Sequence, residues 1–157
     1  MPSKTNAARL LDANRIAYEL IAYDVDESDL GATHIALSLG EDISRVFKTL
    51  VLRGDRKGIF VCVIPGAENV DLKKVAKMSG DKKCDLIPVK ELLPLTGYIR
   101  GGCSPIGMKK LFPTFIHESC LQYDFIYVSA GVRGLQLKIA PSDLISITHA
   151  ITADLVV

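Results

Sequence analysis

Two apolar segments, residues 46–53 and 59–64, constrain this chain more than any other feature. Both are rich in Val, Ile, Leu and Phe, which suit a pleated, half-buried surface. Between them, Gly54-Asp55-Arg56-Lys57-Gly58 is a good hairpin loop. The pair predicts a β-hairpin around which the rest must pack. Alternation along the first strand places Val46, Lys48, Leu50 and Leu52 on one face, with Phe47, Thr49, Val51 and Arg53 on a mixed face opposite. Lys48 thus shares a face with three aliphatic residues. Two readings fit. It is a strand-end lysine whose stem lies on the core while the ammonium snorkels to water, or a partly sheltered cation aimed into a pocket, able to hold a phosphate or polarise an ester carbonyl.

Helical spacing of Ala8, Leu10 and Leu11 predicts a helix over 5–14, with Ser3 or Thr5 as cap. Residues 18–23 read as a strand, and 33–39 as a short helix closed by Gly40. A helix is expected over 71–79, opened by Asp71 and followed by Gly80, then a strand over 84–87 and a short helix over 89–93 entered through Pro88. The second half is strand-rich, with candidates at 98–100, 114–117, 125–129 and 135–140. A helix over 141–148 and a last strand over 153–156 complete the chain. Strands paired as hairpins and strands separated by helices occur together, which predicts an α+β fold: a mixed, partly barrel-like sheet surrounded by helices.

The chain has 157 residues, 48% of them hydrophobic. No repeat, low-complexity tract or linker divides it, so one domain over 1–157 is expected, able to bury a core without disulfides or metal. The 19 Lys and Arg against 18 Asp and Glu exclude a broad basic coat for nucleic acid. Any RNA contact must be a local rim around a pocket. The N-terminus lacks the apolar stretch of a signal peptide and no run suits a bilayer, so a cytoplasmic protein with no membrane contact is expected. The four cysteines form no Cys-x-x-Cys pair and the three histidines show no ligand spacing. Free thiols and a metal-free, cofactor-free chain follow.

Two further segments carry candidate chemistry. In residues 97–110, the adjacent Gly101 and Gly102 allow backbone N–H groups close to an anion or ribose. Gly102 and Gly107 have the separation of a Walker loop, but Met108 stands where its lysine must be. A plain Gly/Pro turn with Lys109 and Lys110 in water is the alternative. In residues 127–135 a strand enters a turn, where Ser129 is placed to hydrogen-bond a ligand and Arg133 to pair with phosphate, or where the arginine is simply exposed. No Gly-x-Ser-x-Gly elbow exists, and neither Cys103 nor Ser104 has a histidine nearby in sequence. A hydrolase built this way must draw its attacking group from water or from the substrate.

Taken together, Phe47-Lys48-Thr49-Leu50, the helix from Asp71 to Lys77, the stretch from Thr96 to Lys110, and Val128 to Leu135 followed by Ile139-Ala140-Pro141 resemble the YbaK/EbsC family of aminoacyl-tRNA deacylases. That family is related to the editing domain of prolyl-tRNA synthetase, and the resemblance covers nearly the whole chain. It implies a single domain with a mixed barrel-like sheet that removes cysteine, or another small amino acid, misattached to the proline tRNA, acting in trans beside prolyl-tRNA synthetase. It implies Lys48 as the essential residue with Thr49 beside it, Gly101, Gly102 and Ser129 lining the pocket, and Tyr23 at an aromatic position nearby. Leu30 departs from the phenylalanine often found there, which puts pocket shape and amino-acid preference in question. The family chemistry implies attack by the substrate cysteine's own thiol, which needs orientation more than activation. The rival expectations are water-driven cleavage of another misacylated tRNA, such as Ala-tRNA(Pro), and non-catalytic binding of a nucleotide or tRNA end.

Overall fold

The computed structural model describes residues 4–157, so Ser3 as a cap lies outside the described residues. Thr5 caps the first helix, α1 (Asn6–Ala13), its hydroxyl oxygen accepting from the Ala8 N–H at 3.3 Å. Strand β1 (Tyr18–Ala22) and helix α2 (Ala32–Leu39) follow, the latter closed by Gly40 in the left-handed region. The hairpin forms as β2 (Phe47–Gly54) and β3 (Gly58–Pro65), in register from Phe47–Pro65 to Gly54–Gly58. Next come α3 (Leu72–Ser79), β4 (Cys84–Leu86) and α4 (Leu92–Thr96), the last preceded by a 3-10 turn over Val89–Glu91. Strands β5 (Thr114–His117), β6 (Ile126–Ser129) and β7 (Leu135–Ile139), helix α5 (Pro141–Thr148) and strand β8 (Ile151–Ala153) complete the order.

The strands make two sheets. One is mixed and five-stranded, in the order β4-β2-β3-β5-β8; the other is antiparallel, in the order β1-β7-β6. A single parallel bridge from Val46 to Tyr127 joins them. The fold is therefore α+β with a partly wrapped sheet system, and the described strands do not close a barrel. The hairpin is buried on both faces. Phe47, Val51, Val61 and Val63 enter the main core with Leu11, Leu137 and Leu144, while Leu52, Phe60, Cys62 and Ile64 pack with Val75 and Leu155 in a second cluster. The face expected to be mixed thus carries the main core. No described helix is long and apolar enough to cross a membrane.

Two expected strands are absent or displaced. Residues 98–100 form no strand, because side chains take the local backbone groups. The Tyr98 N–H donates to Thr96 Oγ1 at 3.0 Å, and the Tyr98 hydroxyl donates to the Ile106 carbonyl, closing an irregular loop. The final strand is not 153–156 but Ile151–Ala153. Beyond it the Leu155 N–H donates to His117 Nδ1 at 3.1 Å, and Val156 makes only an isolated bridge to Val70. The helix after Pro88 runs on to Thr96 through Pro94, which its first turn tolerates because those N–H groups need no helical partner.

The hairpin loop is held by a buried carboxylate. Asp81 accepts from the Arg56 and Lys57 N–H groups at 2.8 and 2.7 Å and from the Ser79 hydroxyl at 2.6 Å. Burial pushes its pKa up, but these hydrogen bonds outweigh that and hold it below the ordinary value. Asp81→Ala is expected to cost about 1–3 kcal/mol at neutral pH by urea unfolding. A carboxylate with a depressed folded pKa contributes above its unfolded pKa and loses that contribution as pH falls through the folded one. The gap between wild type and variant should therefore shrink in acid; a pH-independent gap would remove the carboxylate's charge from the explanation.

Candidate functional site

A cavity of about 130 Å³ opens beside the Val46–Tyr127 bridge. Its walls come from Leu30 before α2, from Ala32 and Ile35 in α2, from Val46, Phe47, Lys48 and Thr49 at the start of β2, from Gly101 and Cys103 in the irregular loop, and from Ser129 and Gln136 on the adjacent strands β6 and β7. Ser129 and Gln136 are direct register partners. The lining holds one cation, Lys48, and neither a carboxylate nor a histidine. Among the described residues, no group of three or more His, Cys, Asp or Glu is placed to hold a metal ion.

The polar groups are only partly satisfied. Lys48 is half-buried and its ammonium makes no hydrogen bond or ion pair among the described residues; burial lowers its pKa, and the charge of Glu68 raises it by less. Thr49 Oγ1 and Gln136 Oε1 are buried without a partner, a state that native chains tolerate rarely. Ser129 Oγ accepts from the Gly131 N–H at 3.1 Å, which leaves its hydroxyl proton to give. Burial pushes the Cys103 thiol up to about 12, so it is protonated near neutral pH and a poor nucleophile. Gly101 has φ +84°, and a Cβ there would stand 3.1 Å from Leu30 and 3.2 Å from Arg133 Nε. Glycine suits both that positive φ and the close approach of Leu30 and Arg133.

A family model for the aminoacyl-tRNA editing domain matches residues 31–147. The chain belongs to that family. EbsC of Enterococcus faecalis (strain ATCC 700802 / V583), provisionally named a Cys-tRNA(Pro)/Cys-tRNA(Cys) deacylase, is 47% identical over 152 residues, covering 97% of this chain and 93% of the relative. The uncharacterised YwhH of Bacillus subtilis (strain 168) is 27% identical over 124 residues, covering 77% and 78%. A solved structure provisionally described as a trans-editing enzyme for prolyl tRNA synthetase superposes with TM-score 0.84 at 24% identity, over 99% of each chain. A second, of a hypothetical protein, gives 0.87 at 22% identity, over 96% of this chain and 99% of the other. These two likenesses show a shared fold.

In this editing domain, five of the eight residues singled out in sequence meet in one cavity: Lys48, Thr49, Leu30, Gly101 and Ser129. The other three do not line it. Tyr23 packs against the cluster that contains Ile35 and Val46, both of which line the cavity. Gly102 lies against the Val132–Arg133 backbone, where a Cβ would sit 3.1 Å from three backbone atoms. Arg133 is already engaged: its Nε donates to the Arg100 carbonyl at 2.9 Å and its guanidinium pairs with Glu27. Gln136 was not anticipated. It alternates with Leu135 and Leu137 along β7, a position that reads as an outward polar residue until the sheet is seen to be covered on that side.

A residue kept for function at the expense of stability has a signature. The folded chain binds the Lys48 proton less tightly than the unfolded chain does. That penalty is present while the lysine is charged, below its folded pKa, and fades as pH rises through it. Lys48→Met should therefore be at least as stable as wild type in urea unfolding at neutral pH. A loss above about 1 kcal/mol, the usual cost of a point substitution, would make Lys48 a structural residue.

Proposed function

We propose that this editing domain is a trans-acting deacylase that cleaves the aminoacyl ester of a misacylated tRNA, with Cys-tRNA(Pro) as its first substrate. The observation that carries this is the half-buried, unpaired Lys48 in a small cavity without a carboxylate. Support also comes from EbsC, whose name gives the same activity. The volume suits a small side chain; an apolar cavity of about 150 Å³ is enough to take up benzene. Only the aminoacyl end enters, so the rest of the tRNA lies outside. With so little net charge, discrimination among tRNAs is assigned to a partner, prolyl-tRNA synthetase, in the cytoplasm.

Lys48 donates to the ester carbonyl and stabilises the negative charge that develops there. Gly101 lets the loop backbone approach the same group, and Ser129 has a proton to offer the ribose. No protein nucleophile is required. The substrate sulfur attacks its own carbonyl carbon, the bond to the ribose 3′ oxygen breaks, that oxygen takes up the thiol's proton, and a cyclic thioester leaves. A tethered thiol gains from orientation in the cavity. Alanine also fits the volume, and its cleavage would need water.

The test is deacylation of Cys-, Ala- and Pro-tRNA(Pro) by wild type and Lys48→Ala. Cys-tRNA(Pro) should be cleaved fastest and correctly charged Pro-tRNA(Pro) spared. Lys48→Ala should lose at least about 100-fold, the usual cost of removing an oxyanion donor. Comparable rates for wild type and variant would take Lys48 out of the mechanism, a faster Ala-tRNA(Pro) would assign the attack to water, and tight binding without turnover would make the domain a tRNA-end binder.

A further inference from the structure

We infer that Gln136, with Thr49, recognises the free α-amine of the aminoacyl group and so restricts this site to esters that carry one; the inference rests on the deacylase function proposed above. Gln136 is 2% exposed, lines the cavity, and leaves Oε1 without a partner. Thr49 lines the same cavity and leaves Oγ1 in the same state. Gln136 is held rigidly, because β7 is the central strand of its sheet, and the residue sits between Ile21 on β1 and Ser129 on β6. Two buried oxygens without donors mark a place where a ligand supplies the donors.

The chemistry of the aminoacyl end selects which ligand group this is. The ester offers oxygen acceptors, and these suit Lys48, whose ammonium only donates. A cysteine thiol is a weak donor. The α-amine is the compact group with more than one N–H. It titrates at about 7.7–8.0 in an unperturbed chain, so its neutral form is accessible near pH 7. The cavity favours that form, since its lining contains a lysine and no carboxylate. A neutral amine brings two N–H donors to the two unpartnered oxygens, while Lys48 remains on the ester.

The experiment compares Cys-tRNA(Pro) with 3-mercaptopropionyl-tRNA(Pro), which keeps the ester and the thiol and lacks the amine without adding bulk. Each enzymatic rate is divided by the spontaneous deacylation rate of the same ester, which removes the amine's own effect on ester reactivity. Wild type should favour the amine-bearing substrate by at least about tenfold, because a site built to hydrogen-bond a group rejects the analogue lacking it. Gln136→Met should bring Cys-tRNA(Pro) down toward the desamino value while changing the desamino rate by less than about twofold. Equal normalised rates in wild type overturn the inference while leaving the deacylase function intact, and that arm needs no variant. Equal slowing of both substrates by Gln136→Met also overturns it, since a merely structural role would act on both. If neither substrate is cleaved, the deacylase function fails and this inference with it.

Discussion

The two sheets meet at one backbone bridge, Val46 to Tyr127, and the site depends on how that junction is held. The Val46 carbonyl accepts from the Gly66 N–H at 2.8 Å, which ties the end of β3 to the residue before β2. Gly66 also lets α2 approach: a Cβ there would lie 2.0 Å from Ala32 Cβ and 3.1 Å from the Val46 oxygen. Ala32 and Ile35 then form one wall, Phe47 to Thr49 continue from the bridge as a second, and Ser129, two residues beyond Tyr127, stands on a third. A pocket at a sheet junction inherits the rigidity of both sheets, which placing a reactive ester demands.

The same junction explains the electrostatics. Burial at the start of β2 takes part of the water from the Lys48 ammonium, and the charge of Glu68 compensates only in part. Two arginines beside the junction are engaged: Arg133 pairs with Glu27 and donates to the Arg100 carbonyl, and Arg45 pairs with Asp124. One uncommitted cation is thus left in a cavity with unpartnered oxygens. Such a site offers one strong donor and nearby acceptors to a small polar group such as an ester end.

Much of this was legible in the sequence, for identifiable reasons. Periodicity and caps are local, so α1, α2, α3, α5 and the central hairpin fall within a residue or two of their expected bounds. Lys48 stood out because it broke an aliphatic face. Elements whose backbone groups are claimed by distant side chains were not legible: the His117 imidazole takes the Leu155 N–H, and the Tyr98 hydroxyl closes a loop on Ile106. Gln136 was hidden for a related reason. A polar residue in an alternating strand reads as solvent-facing, and only the covering of that sheet face turns it into a buried, unpartnered group. Arg133, by contrast, looked free in sequence and proves engaged.

The central claim is that the aminoacyl ester end is held at the sheet junction with Lys48 on its carbonyl. The most direct measurement is a crystal structure with a non-hydrolysable amide analogue of 3′-cysteinyl-adenosine. The account predicts the amide oxygen within hydrogen-bond distance of Lys48 Nζ and the side chain between Leu30 and Gln136. An analogue seated elsewhere, such as the open cleft between Lys4, Tyr98 and Val132, with the junction cavity left unchanged, would contradict it.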